Sequence, residues 1–181
     1  MGKIIAFSGS SSSVSINQRL VHIVANYITT HEVQILSLID YPAPVFSADL
    51  RDKEGVPQTI KDLHVLMREA DGFLISTPEH NGSMPAVFKN TIDWLSMLGP
   101  KVFHEKPTVF LSTSPGPRGG ASALKHVVEI MPFRGAHIVG HYSLPSFEEN
   151  VNGTSVNPDH LAEILGAVKA LEQAVVEGTQ V

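Results

Sequence analysis

Three short runs carry the residue types that could do chemistry. The first, Ser8-Gly9-Ser10-Ser11-Ser12-Ser13-Val14-Ser15-Ile16-Asn17, sets hydroxyls and main-chain N–H groups directly ahead of a helical pattern. That arrangement suits a phosphate, which would meet unsatisfied donors at the positive end of a helix dipole. It is neither a Walker loop, which needs Gly-Lys-Ser/Thr, nor the Gly-x-Gly-x-x-Gly of dinucleotide folds. A Ser-rich helix cap with no ligand is the competing reading. The second run, Thr77-Pro78-Glu79-His80-Asn81-Gly82-Ser83-Met84-Pro85, is a rigid turn: Pro78 and Pro85 fix φ, and Gly82 admits angles other residues avoid. The third, Ser112-Thr113-Ser114-Pro115-Gly116-Pro117-Arg118-Gly119-Gly120, has three glycines that let a flat ligand approach the backbone. Arg118 is the only cation in the three runs, readable as a clamp on a nucleotide phosphate or as a solvated surface side chain.

Alternating strand and helix patterns position these runs. Lys3–Ser8, Val33–Leu38, Gly72–Thr77, Thr108–Ser112 and Ala136–Tyr142 read as short apolar strands. Helical stripes run through Ile16, Leu20, Ile23, Val24 and Tyr27, and through Ile60, Leu63, Leu66, Met67 and Ala70. Others span Met84–Leu98 and Leu124–Met131, and a last one from Leu161 to Val175 has Asn157 as its N-cap. Tyr41-Pro42-Ala43-Pro44 breaks regular structure. The stretch from Ser143 to Pro158 reads as a surface loop with a turn at Asn152-Gly153. Five such units predict one α/β domain over residues 1–181, a parallel sheet with helices on both faces. In a parallel sheet the loops after the first, third and fourth strands share one edge, where ligands bind in such folds.

Composition narrows the chemistry. With 43% apolar and 17% charged residues the chain reads as globular, and a net charge of −5 without a Lys/Arg cluster argues against a nucleic-acid partner. There is no cysteine, which excludes disulfides and thiolate chemistry, so any redox step needs a bound organic cofactor. No apolar stretch reaches the ~20 residues that span a bilayer, and the first strand begins too early for a signal peptide. The cytoplasm is the expected location. The nine histidines show no ligand pair on one helix face, so no metal site is expected. Trp94, the only tryptophan, is expected in the core or an interface, and the apolar breadth of Met84–Leu98 hints at a subunit contact.

The three runs together resemble the NAD(P)H-dependent FMN reductase family, which has a flavodoxin-like fold and includes quinone, chromate and azo-dye reductases. The pattern Gly-Ser-x-Arg-x-x-Ser-x-Asn aligns with Gly9, Ser10, Ser12, Ser15 and Asn17. Pro-Glu-Tyr-Asn followed by Lys-Asn-x-Ile-Asp-Trp aligns with Pro78 to Asn81 and Lys89 to Trp94. Ser-Pro-Gly and Gly-Gly align with Ser114 to Gly116 and Gly119-Gly120. The similarity covers roughly the first 140 residues. Two positions depart from it. Ser12 stands where arginine is usual, weakening the expected grip on phosphate, and His80 replaces tyrosine with imidazole, still a flat ring that can pack beside a flavin.

The resemblance implies a flavodoxin-like three-layer sandwich that binds FMN and takes NADPH or NADH as reductant. It implies that Ser10, Ser12, Ser15, Ile16 and Asn17 surround the phosphate, and that Pro78, Glu79, His80, Asn81 and Gly82 follow the flavin edge. Ser112, Ser114, Pro115, Gly116, Gly119 and Gly120 would give the ring room, with Arg118 on the substrate side. Hydride would pass from the nicotinamide to the flavin and the electrons on to a small acceptor, with no obligatory protein acid or base. A homodimer or homotetramer is implied as well. Two other readings stand beside this one: a flavodoxin-type electron carrier reduced by a partner enzyme, and a degenerate relative that binds no flavin. Against the carrier, the Thr-x-Thr-Gly-x-Thr phosphate loop and large flanking aromatics are absent from these runs.

Overall fold

A computed structural model of the chain describes residues Met1–Gly178; the final three residues of the expected 1–181 domain lie outside them. Five parallel strands form one sheet in the order β2-β1-β3-β4-β5. They are β1 (Lys3–Ser8), β2 (Glu32–Ile35), β3 (Gly72–Thr77), β4 (Pro107–Thr113) and β5 (His137–Leu144). This is the flavodoxin-like order, with its switch point between β1 and β3. The chain has the expected three-layer α/β architecture.

Strand residues alternate between the two faces as a pleat requires. Ile5, Phe7, Phe73, Ile75 and Phe110 face one core, covered by α3 (Gln58–Glu69), α4 (Ala86–Leu95) and α5 (Ala121–Ile130). Ile4, Ala6, Leu74, Val109 and Leu111 face the other, covered by α1 (Ile16–Ala25) and α7 (Pro158–Gly178). Burial on both faces explains why the strands read as apolar runs without strict alternation. Asn157 caps α7, its Oδ1 accepting from the Asp159 N–H at 3.1 Å.

Several boundaries differ from the sequence reading. The second strand ends at Ile35, and Leu38 falls in a 3-10 turn, Leu38–Asp40. A charged helix, α2 (Ala48–Glu54), was not expected. It buries no residue, so it has no apolar stripe; its signal was the cap, Ser47 Oγ accepting from Leu50 N at 3.0 Å, and Gly55 at its end. The presumed surface loop after β5 holds a short helix, α6 (Phe147–Asn150), and a hairpin of β6 (Val151–Asn152) and β7 (Ser155–Val156). Its turn contains Asn152-Gly153 as expected, but Phe147 is fully buried, so this segment is part of the second core.

The breadth of the Met84–Leu98 stripe has an internal cause. Trp94 is buried, donates from Nε1 to the Pro44 carbonyl at 2.7 Å and packs edge-on against Phe46 at 5.0 Å. Asn90 accepts from Phe46 N–H at 2.8 Å. The irregular segment around Pro44 thus covers a flank of α4 that the sequence left open. Among the described residues no helix is long and apolar enough to cross a membrane.

Candidate functional site

The loops following β1, β3 and β4 lie on the carboxyl edge of the sheet. The first is built around the start of α1. Ser15 caps the helix: its Oγ accepts from Gln18 N at 3.2 Å and its carbonyl from Arg19 N at 3.0 Å. The N–H groups of Ile16 and Asn17 take no partner among the described residues. Ser10 and Ser12 form tight side-chain turns, accepting from Ser12 N at 3.1 Å and Val14 N at 3.3 Å. Ser-x-x-Gln reads as a capping box, yet Gln18 reaches back to the strand, accepting from Ser8 N at 3.0 Å and donating to the Leu36 carbonyl at 3.0 Å.

Asn17 sits differently from the other residues of its loop. Its side chain is buried, with Oδ1 accepting from Ser76 Oγ at 2.7 Å and from Thr113 N at 3.1 Å. Its Nδ2 donates to the Thr113 carbonyl at 3.0 Å. The side-chain amide therefore ties α1 to the ends of β3 and β4, and what Asn17 presents to a ligand is its main-chain N–H.

The second loop closes as a type I′ turn. His80 N donates to Ser83 O at 2.9 Å and Ser83 N to His80 O at 3.2 Å, with Asn81 and Gly82 at φ 53° and 78°. Both central residues of such a turn need positive φ, which Asn-Gly supplies most readily. His80, Asn81 and Gly82 are exposed while Pro78 is buried. Glu79 points toward the third loop and accepts from Ser122 N at 2.9 Å and Ala123 N at 3.0 Å. Ser83 Oγ meets His126 Nδ1 at 2.8 Å.

The third loop is held from two sides. Ser112 Oγ donates to Gly119 O at 2.8 Å, and Ser114 Oγ to Gly116 O at 3.1 Å. The N–H groups of Ser146 and Phe147 bond to Gly116 O and Ser114 O, each at 3.0 Å. Gly119 and Gly120 are buried at positive φ, whereas Gly116 borders open space. Arg118 is exposed and donates to Ser122 Oγ one turn along α5.

The three runs therefore share one rim, with the exposed hydroxyls of the first loop, the exposed turn of the second and the open Gly116 as their outward groups. Gln18, Ser76 and His126 support this rim from outside the three runs and Thr113 from within the third; none was among the expected site residues, because each acts through a contact distant in the chain. A cavity of about 470 Å³ lies elsewhere, between α5 and the edge strand β5, lined by Leu124, Val128 and His141 among others. It contains none of the expected cofactor residues. Among the described residues no group of three or more His, Asp or Glu is placed to hold a metal.

The sequence matches the NADPH-dependent FMN reductase family over residues 2–150. The chain belongs to that family. It is 37% identical over 115 residues to a quinone reductase of Escherichia coli, covering 64% of this chain and 60% of that protein. The chain thus spans about 60% of the length of that relative. It is 31% identical over 147 residues to an NAD(P)H-dependent FMN reductase of Pseudomonas aeruginosa, covering 75% and 72%. In fold it is similar to the flavoenzyme NAD(P)H:(acceptor) oxidoreductase FerB of Paracoccus denitrificans, with a TM-score of 0.82, 23% identity and coverage of 98% and 99%. The family match contains all three runs, which lie between Ser8 and Gly120.

Proposed function

We propose that this protein, acting as one domain over residues 1–181, is an NAD(P)H-dependent FMN oxidoreductase that reduces a small acceptor of the quinone class. Free flavin, azo compounds and metal oxyanions are the other acceptor chemistries within this reading. The observation that carries it is the start of α1, where the open N–H groups of Ile16 and Asn17 and a run of serines stand on the same rim as the two small-residue turns.

The residues present fit FMN. Open donors at a helix start suit the phosphate without a net cation, which matters because Ser12 supplies none. Ser10, Ser12, Ser15, Ile16 and Asn17 would hold that end. Pro78 to Gly82 would flank the ring, where the main chain of the I′ turn is rigid. Ser112, Ser114, Pro115, Gly116, Gly119 and Gly120 would border its far edge, Gly116 leaving space where a side chain would intrude. Arg118 stands at the entrance, able to release Ser122 and meet an anionic coenzyme. Bound FMN supplies the chemistry, accepting hydride from NAD(P)H and delivering two electrons to the acceptor. The protein's part is to bind, orient and leave one ring face accessible.

The reading includes a cytoplasmic homodimer or homotetramer. Two shallow grooves that share Lys89 and Asp93 of α4 support it; Phe133, 76% exposed, lines one and Val45, 84% exposed, lines the other. Sedimentation showing a monomer at micromolar concentration removes that part.

The visible spectrum of the purified protein, before and after anaerobic NADPH, tests the activity. A flavin spectrum that bleaches on addition is expected. Flavin that stays oxidised points to a carrier reduced by a partner, and protein that takes up no added FMN sinks the assignment.

A further inference from the structure

Two ten-residue helices, α1 and α5, start on this rim, and their first N–H groups are treated differently. A helix start leaves four such donors without intrahelical partners. In α1, two remain open, at Ile16 and Asn17. In α5, none does. Ala121 N donates to Arg118 O at 3.0 Å and Leu124 N to Gly120 O at 3.1 Å. Ser122 N and Ala123 N both donate to one carboxylate oxygen of Glu79, 43 positions upstream of Ser122. The N-cap residue, Gly120, has no side chain that could do this locally. A carboxylate from the second loop therefore fills the place where an external anion would bind.

We propose that Glu79 is a positioning and selectivity residue: it closes the start of α5 to anions and locks the second loop onto the third, leaving α1 to receive the phosphate. This rests on the FMN reading and adds an orientation to it, with the phosphate at α1 and the ring beside the loops that Glu79 joins. Ser83 Oγ and His126 Nδ1, 2.8 Å apart, form a second tie between the second loop and α5, whose first turn Glu79 holds. With both ties made, the exposed His80–Asn81 turn has a fixed place relative to Gly116. α4 also begins on this edge with open N–H groups at Ala86, Val87 and Phe88, but it follows Pro85 and lacks a hydroxyl in its first turn.

The test uses the full chain carrying Glu79→Ala or Glu79→Gln. Each is titrated with FMN and with riboflavin, which has no phosphate, by quenching of flavin fluorescence. Visible circular dichroism of the bound flavin and the unfolding temperature with and without sodium sulfate are also recorded. Glu79→Ala is expected to bind both flavins about tenfold more weakly, through loss of two charge-assisted hydrogen bonds that fix the rim. Its flavin dichroism should change, and sulfate should raise its unfolding temperature more than it does for wild type. Glu79→Gln keeps an acceptor oxygen and should fall between. Unchanged affinities and dichroism, together with a wild-type response to sulfate, overturn the proposal. If Glu79→Ala fails to fold, Glu79→Gln carries the same readouts. If wild type binds neither flavin, the FMN reading fails, while the sulfate comparison still judges Glu79.

Discussion

The ring of Phe88 occupies the space that a side chain on Gly9 would need: a Cβ there would stand 2.8 Å from Phe88 Cγ. Phe88 is fully buried and meets Phe7 edge-on at 6.2 Å, so it has little freedom to withdraw. The glycine that opens the first loop is therefore set by packing between β1 and α4. Gly9→Ala is expected to cost roughly 1–3 kcal/mol, the usual range for overfilling a packed core. Urea denaturation checks it; a loss within a few tenths of a kcal/mol means Phe88 moves aside freely.

Asn17 gives a second stability prediction, one that changes how any binding experiment on this loop is read. Replacing it with alanine removes three buried hydrogen bonds and leaves Ser76 Oγ and the Thr113 main chain without partners. The expected loss is about 3 kcal/mol, since each stranded buried group costs on the order of 1–3 kcal/mol. Ser76→Ala, which removes one of these bonds, should cost only about 1 kcal/mol. Equal stabilities for Asn17→Ala and wild type in denaturant would show that the tie carries no load. Where the loss is found, weaker FMN binding by Asn17→Ala needs correction for the unfolded fraction before it is read as a lost ligand contact.

These two residues also show how far the sequence could be read. The parallel sheet was legible because buried strands are near-continuous apolar runs, and the three loops were legible because Ser, Gly, Pro and Asn mark turns that must fall on one edge. Their polarity, however, does not say whether a side chain faces a ligand or the protein. Asn17 and Glu79 both looked like ligand contacts, and both spend their side chains on neighbouring elements. α2 escaped notice because it buries no stripe, and Phe147 because one buried aromatic within a polar stretch has no periodicity.

His64 of α3 and His104, in the turn before β4, lie with ring centroids 5.5 Å apart. Burial holds the pKa of both below the usual histidine value; Arg68 adds to this for His64, and His64, Arg68 and Lys106 add to it for His104. His104 Nε2 is buried without a partner, and Glu105, the adjacent carboxylate, pairs with Lys101 at 2.9 Å. A lowered native pKa means the unfolded chain binds more protons. Stability from this pair is thus fully present above the unfolded value of about 6.5 and is lost as pH falls through the native values. The denaturation midpoint should decline from pH 7 to 5, and less steeply in His64→Gln or His104→Asn. Asparagine suits the second site because His104 has φ 52°, which asparagine tolerates. Identical slopes in the variants and wild type would place the acid sensitivity elsewhere.

The third loop offers a contrast between Gly119, which packing requires, and Gly116, which borders open space. At Gly119, φ is +59° and a Cβ would lie 2.6 Å from Ser143 Oγ and 2.7 Å from the Leu144 carbonyl oxygen. Gly119→Ala should therefore destabilise the fold, by roughly 1–3 kcal/mol for the positive φ alone. At Gly116 nothing lies within 4 Å of the added atom and φ is not positive. Gly116→Ala should leave stability unchanged or raise it by about 0.4–1 kcal/mol through the unfolded chain's lost freedom. If the flavin ring lies beside this loop, the same methyl group should weaken FMN binding in fluorescence titration, because it enters space the ring needs. A Gly116→Ala protein as stable as wild type and equally tight for FMN would mean the ring edge lies away from Gly116, and the third loop's part in the site would shrink to holding α5.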